Sequence, residues 1–290
     1  MLLVFWIGRI GSAKSIPELL ALNGLGHISA QVEAAALPSV YLHSGEQTEE
    51  PWSRLGGRPN LPPEVVWPAW KGRSLPFIGQ LDLAAIPRME GFPLPAQGSL
   101  FFFYAGTDDA VGFDPEDRGA AQVIHAPGKL EENPLRELPD EISGDMTFTG
   151  VALEGEFGYS LPRDDDQVLN ELNFNADERA RYGEFVFAWR QKQPSTLVRV
   201  GGYPDTIQHD PKLEAQVTSN GLDCGGPDGY EEGEKLGLLA GASDWQILLQ
   251  VDSEEKAGMM WGDVGYLYFL IRKQDLVSLL FDNIWLVFQC

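Results

Sequence analysis

Apolar and polar positions along this chain alternate between two rhythms. At the start, Ser15-Ile-Pro-Glu18-Leu-Leu-Ala-Leu-Asn23-Gly24 predicts a short helix: Ser15 and Glu18 have capping-box spacing, Pro17 falls in the first turn, and Asn23-Gly24 stops it. From about residue 38 to 125 the pattern changes to short apolar runs punctuated by Gly and Pro. Residues 77–83 and 100–104 are predicted strands. Between about 155 and 193 the chain turns acidic and then helical, with Asn175-Ala-Asp-Glu178 as the helix cap, and this stretch is expected to be a connector. Strands follow at 197–200, 246–251, 266–271 and 284–289, and helices at 231–239 and 274–281.

An internal repeat organises these elements. Arg54-Leu-Gly-Gly-Arg-Pro59 recurs as Arg199-Val-Gly-Gly-Tyr-Pro204 at an offset of 145. Gln80-Leu-Asp82 recurs as Gln250-Val-Asp252 at an offset of 170, and Gly98-Ser-Leu-Phe-Phe102 as Gly265-Tyr-Leu-Tyr-Phe269 at 167. Order is kept, and the larger later offsets are met by one acidic, Gly-rich insertion between Pro211 and Ser243. Three matches in one order point to a tandem duplication. The expected architecture is α+β and predominantly β: one unit over 1–290, with a first repeat at 38–150, a connector at 151–194 and a second repeat at 195–290.

On a strand, Gln80 and Asp82 share one face, as do Gln250 and Asp252, with amide and carboxylate about 6–7 Å apart. In the simpler reading Gln satisfies neighbouring backbone groups and Asp caps the turn that follows it. In the functional reading the two copies meet and line a polar pocket, bordered by Gln208 and His209. Gly56-Gly57-x-Pro59 and Gly201-Gly202-x-Pro204 place two permissive residues before a fixed φ, as a tight structural turn requires. A phosphate cradle would need a helix N-terminus and usually a Lys, and neither follows. Trp67 and Trp70 are expected to pack on the sheet.

Composition narrows the function. The 43 Asp and Glu against 21 Lys and Arg give a net charge of −22, and there is no basic stripe, which excludes nucleic acid and anionic membranes as expected partners. Acid gathers in two stretches: Glu154 to Glu178 holds eight acidic residues against Arg163, and Asp205 to Glu234 eight against Lys212. Such stretches are solvated loops or a surface complementary to a basic protein. Two cysteines without a CxxC motif suit a reducing cytoplasm, and the apolar start Met1–Ile7 is too short for a membrane span. Catalytic signatures are absent: there is no G-x-S-x-G, H-E-x-x-H or phosphate-binding loop, so no catalytic residue, metal or cofactor is expected. His27, His43, His125 and His209 lack ligand spacing. Asp108, Asp109, Asp114 and Asp117, and separately Asp164-Asp165-Asp166, do not follow the calcium-loop register. Cys224 has no assignable base.

Gly56-Gly57-x-Pro59, Leu61-Pro62, Trp67-Pro68, Gln80-x-Asp82 and Gly98-x-Leu-Phe-Phe resemble the first half of the YwqG-like family of bacterial proteins, a domain of unknown function. Gly202-Tyr203-Pro204, Ile207-Gln208, Trp245 to Asp252, Trp261-Gly-Asp263-x-Gly265 and Tyr268-Phe269 resemble its second half. The likeness spans about residues 38–288. It implies a cytoplasmic, β-rich, duplicated domain and transfers no catalytic residue. Val111 stands where relatives are expected to carry an aromatic, which argues against an aromatic platform there. Together the residues favour a non-enzymatic binding protein, of inhibitor or immunity type, for a basic partner. The alternative is a ligand-binding protein or enzyme whose pocket lies between the repeats.

Overall fold

The capping box at Ser15 is formed: Ser15 Oγ accepts from the Glu18 N–H, and the Glu18 carboxylate accepts from the Ser15 N–H at 2.8 Å. It starts α1 (Ile16–Leu22), and Gly24, at φ +70°, lies just beyond the helix end. A computed structural model describes residues 15–107, 109–164, 166–172, 174–191 and 198–290; Met1–Ile7, Asp108, Asp165 and Leu197 lie outside them. After α1 comes α2 (Ser29–Ala35), and later α3 (Ala176–Arg190), capped by Asn175 and Glu178 as their spacing predicts. Ile16, Leu20, Leu25, Ile28 and Val32 pack with Leu161, Leu169, Tyr182, Phe185 and Val186 in a core of their own. The buried Tyr182 hydroxyl donates to the Pro162 carbonyl at 3.0 Å. Among the described residues, those of 15–36 and 161–191 make one compact unit, and those of 37–160 and 198–290 make another.

The second unit is built on strands. They are β1 (Leu37–Gln47), β2 (Arg54–Leu55), β3 (Ala69–Trp70), β4 (Arg73–Ser74), β5 (Phe77–Asp82), β6 (Ser99–Tyr104), β7 (Ala121–Ala126), β8 (Val151–Ser160), β9 (Val198–Gly201), β10 (Trp245–Asp252), β11 (Tyr266–Arg272) and β12 (Trp285–Gln289). Ten of them form one sheet in the order β12-β11-β10-β9-β1-β8-β2-β5-β6-β7, every pairing antiparallel, while β3 and β4 form a separate hairpin. The order has a centre, β1 with β8. One arm, β2-β5-β6-β7, leaves it on the β8 side, and the other, β9-β10-β11-β12, on the β1 side. Each arm opens with a Gly-Gly strand and continues through a Gln-x-Asp strand and an aromatic one. The chain is thus β-rich with short helices, as expected.

One face of the sheet is apolar throughout. Val40, Leu55, Leu100, Phe102 and Val151 join Val200, Leu249, Leu267, Phe269 and Phe288 in one core. Phe102 and Phe269, equivalent positions of the two repeats, meet edge to face with centroids 5.2 Å apart. On the other face each arm has its own cover. The first arm buries Phe77, Phe101 and Phe103 under Leu61, Trp70 and Leu75, with Trp67 edge-on to Phe103 at 5.5 Å, as expected for packing tryptophans. The second arm buries Trp245, Ile247, Tyr268, Leu270 and Val287 against Ala215 of α4 (Pro211–Ser219), which α5 (Pro227–Lys235) follows. A short α6 (Lys273–Val277) succeeds β11. The outer edge of β12 is covered by a loop of the first arm: Phe288 N–H donates to the Val111 carbonyl at 2.9 Å, and Trp285 Nε1 to Gly112 at 2.9 Å. Gly112 is required here, since a Cβ would sit 1.9 Å from the Leu286 carbonyl oxygen.

Two expectations change. Residues 151–160, expected to open the connector, form β8 at the centre of the sheet, and 161–191 belong to the helical unit, so the described chain packs as two units. The acidic letters of Glu154-Gly-Glu156 hid the strand, because its outer positions are solvated and show no apolar alternation. β1, β7 and α4 were also not expected. The helix expected at 274–281 stops at Val277, and that at 231–239 begins earlier, at Pro227.

Candidate functional site

Each arm holds the same polar cluster at the root of its Gly-Gly turn. In the first, Arg54 of β2 stands directly opposite Gln80 of β5. Arg54 donates to the carbonyls of Glu50 and Arg58 and to Asn60 Oδ1 at 3.0 Å. Gln80 Oε1 accepts from the Asn60 N–H at 2.9 Å, and its Nε2 donates to Asn60 Oδ1 and the Trp52 carbonyl, both at 3.0 Å. In the second, Arg199 of β9 stands opposite Gln250 of β10. Arg199 donates to the Tyr203 carbonyl, to Gln250 Oε1 at 3.2 Å, and pairs with Asp205 at 3.0 Å. Gln250 Oε1 accepts from the Asp205 N–H at 3.0 Å, and its Nε2 donates to Asp205 Oδ2 at 3.0 Å. Asn60 and Asp205 are equivalent at the offset of 145.

The glycines make these clusters possible. Gly56 and Gly57 have φ +57° and +70°, and Gly201 and Gly202 +72° and +76°; two consecutive left-handed residues bend the chain back so that the fourth and sixth residues after each arginine reach its side chain. Pro59 and Pro204 complete the turns. Burial without a contacting carboxylate pushes the Arg54 guanidinium down to about 10, Glu49 acting against the shift.

The two glutamines do not share a pocket. Four strands separate β5 from β10, and the hydrogen-bond partners of Gln80 and Gln250 belong to separate groups. Between the arms on the inner face lie Phe102, Phe269 and their apolar neighbours. Asp82 caps its own turn, Oδ1 accepting from the Ala84 N–H at 3.0 Å. Asp252 does the same for Ser253 at 2.7 Å, and burial, aided by Asp205 and Glu254, pushes its carboxyl up to about 6. Gln208 and His209 lie exposed at the start of the α4 segment: Gln208 Nε2 donates to the Cys290 carbonyl, and the His209 ring lies edge-on to Tyr230 at 5.9 Å.

One group near His209 escaped the sequence reading. Glu214 of α4 is 1% exposed, accepts from Gln289 Nε2 at 2.8 Å and from the Tyr230 hydroxyl at 3.5 Å, and is pushed up to about 7 by burial. The buried Cys224 thiol lies 2.8 Å from Thr218 Oγ1 and is itself pushed up by burial, opposite to what an attacking thiolate needs. Only α4's period could have flagged Glu214, and nothing in sequence joins it to Gln289, 75 residues away.

Among the described residues no group of three His, Cys, Asp or Glu is arranged to hold a metal, and no helix is long and apolar enough to cross a membrane. Asp109 pairs with Arg73 at 2.7 Å, Asp114 caps a turn, and Asp117 accepts from the Gly112 N–H at 2.8 Å. A cavity of about 10 Å³ beside Asp117 and Trp285 has room for one water. An open hollow of about 580 Å³ lies along the loop from Arg88 to Leu94. Residues 53–290 match a family described as a domain of unknown function, DUF1963, and the chain belongs to that family. No curated protein matches the chain.

Proposed function

We propose that the chain is a non-enzymatic binding protein, of inhibitor or immunity type, whose acidic surface takes a basic protein partner. One observation carries this reading. Gln80 and Gln250 are bonded within two separate clusters, whereas carboxylates of β8 and α5 face solvent. Glu154 and Glu156 of β8 are exposed, as are Asp228, Glu231, Glu232 and Glu234 of α5. A net charge of −22 supports attraction to a basic surface over several ångströms of screened solvent. In this reading the two arms descend from one duplicated unit, which their equivalent Arg-Gln clusters support, and the finer placing is with the YwqG-like proteins. The free state of Cys224 and Cys290 is in line with a cytoplasmic setting.

The test is affinity capture from native-source lysate at low and at high salt, with bound proteins identified by mass spectrometry. A stoichiometric basic partner released by salt is the expected result. Absence of any captured protein at both salt concentrations overturns the reading.

A further inference from the structure

Strand β8 is longer than the strand beside it. β2 pairs with β8 only at Ala152 and Val151, and the last bond on that side runs from the Leu153 N–H to the Ser53 carbonyl at 2.8 Å. Because backbone groups alternate sides along a strand, Gly155 and Phe157 point their N–H and C=O the same way as Leu153. Among the described residues no strand bonds to them there. The other side of β8 is fully engaged with β1, with Glu154 opposite His43, Gly155 opposite Leu42, Glu156 opposite Tyr41 and Phe157 opposite Val40.

An open edge of this kind is normally blunted by charged side chains, above all Lys, by Pro, by a bulge or by a covering segment. The outer edge of β12 is covered in that way by Val111 and Gly112, whereas Glu154-Gly-Glu-Phe-Gly-Tyr159 carries neither Lys nor Pro. Here Glu154 and Glu156 would deter pairing with all but a basic strand. Its exposed side chains are sorted by face. Glu154 and Glu156 project on one face; the Glu156 side chain is 69% exposed, with His43 beside it at 3.7 Å, and neither glutamate has a Lys or Arg ion-pair partner among the described residues. Phe157 and Tyr159 project on the other, 41% and 45% exposed and edge-on to each other at 5.2 Å. Trp52, 57% exposed, stands where the chain enters β2, at the head of the open stretch.

We propose that residues 154–159 of β8 are a docking edge that accepts an extended segment of a basic partner protein as an added strand. The segment would alternate, with Lys or Arg over Glu154 and Glu156 on one face and apolar side chains against Phe157 and Tyr159 on the other. Main-chain bonds to Gly155 and Phe157 hold the strand, and the two faces select its sequence. The stretch from Glu154 to Tyr159 is about 20 Å long, and at its far end the Tyr159 carbonyl accepts from the Tyr41 hydroxyl at 3.2 Å, so the added strand bonds at Gly155 and Phe157. This inference rests on the reading of the chain as a binder of basic proteins and names where and how such a partner binds.

The experiment uses the full chain and a fluorescent decapeptide of alternating Lys and Val, beside a peptide of the same composition with its lysines in one block. Binding is followed by anisotropy, and amide exchange across residues 154–160 by mass spectrometry. The alternating peptide is expected to bind more tightly than the block peptide and to slow exchange at Gly155 and Phe157. Glu154→Lys with Glu156→Lys is expected to weaken it about tenfold. Phe157→Pro, which removes an edge-facing N–H without breaking a bond to β1, is expected to abolish binding. If Phe157→Pro fails to fold, the peptide N-methylated at alternate residues replaces it, and that peptide should not bind wild type. Absent binding, equal binding of the two peptides, unchanged exchange, or full binding by the N-methylated peptide overturns the docking edge. The lysate capture separates the two levels. A basic partner captured by the double Glu→Lys variant in undiminished amount refutes this edge and leaves the binding reading standing, while its absence with wild type refutes that reading whatever the peptides do.

Discussion

In the arm of β2, β5, β6 and β7, the buried Arg54 is met, among the described residues, by neutral oxygens, those of Glu50, Arg58 and Asn60. In the arm of β9 to β12, the equivalent Arg199 meets the carboxylate of Asp205 at 3.0 Å. The scaffold is otherwise the same, with the Arg opposite a Gln and the turn made by two left-handed glycines. One clusters a charge with dipoles; the other balances it. The difference teaches that the repeated framework depends on the shape of the guanidinium and its donors, and that the counter-charge is an option added to it. The covers differ as well. A hairpin and tryptophans close the first arm, while the second uses α4, which brings the buried Glu214 with it.

Replacing each arginine with methionine is the strongest way to break this comparison. Arg199→Met leaves the Asp205 carboxylate without its counter-charge and should cost about 3–5 kcal/mol, whereas Arg54→Met removes a donor from neutral acceptors only and should cost about 1–3 kcal/mol. Chemical denaturation measures both; equal losses would show that charge balance does not distinguish the arms.

The next effect belongs to the covers. The Glu214 carboxyl, raised to about 7 from 4.5, favours folding most below about pH 4.5, and that contribution falls as pH rises through 7. The loss should reach up to about 3 kcal/mol. Gln289, Tyr230, Asp210 and Cys224 are the groups around it. Glu214→Gln mimics the protonated acid and should flatten this part of the stability profile, being more stable than wild type at pH 8 and similar at pH 4.5. In the first arm the sign is opposite: burial against Phe281 depresses His125 below 6.5, so its contribution is present above that pH and lost as pH falls. A Glu214→Gln profile parallel to wild type would remove Glu214 from the account.

The glycine turns sharpen the comparison on a smaller scale. Both Gly57→Ala and Gly202→Ala force a side chain into left-handed backbone, at about 1 kcal/mol each. At Gly202 the Cβ would also lie 2.0 Å from Ser39 Oγ and 2.4 Å from Ser160 Oγ, while at Gly57 the nearest atom is 3.1 Å away. Gly202→Ala is therefore expected to lower the melting temperature more than Gly57→Ala; the reverse order would mean that the β1–β8 centre yields more readily than its packing implies. The smallest change is Arg58→Ala, which removes surface pairs with Glu49 and Glu137 found only in the first arm. It should cost under about 1 kcal/mol and less in high salt.

Much of the framework was legible from local spacing. Ser15 with Glu18 and Asn175 with Glu178 cap helices as their three-residue spacing predicts, and β5, β6, β10 and β11 fall where apolar runs predict strands. The repeated motifs pair Arg54 with Arg199 and Gln80 with Gln250, and in the structure each Arg stands opposite the Gln of its own arm. What they do was less legible. The sequence reading offered a shared pocket, but β1 and β8 with their neighbours lie between the two copies, and β8 was hidden by its glutamates.

Sequence by itself determined the helix caps, most strands, the acidic balance and the repeat, because each depends on neighbours a few residues apart or on composition. Tertiary structure alone decided that Arg199 meets Gln250 across 51 residues, that Gln289 meets Glu214 across 75, and that β8 outruns β2 and leaves an edge. Those outcomes follow from strand order and register, which are set by how the apolar faces of distant segments pack against one another.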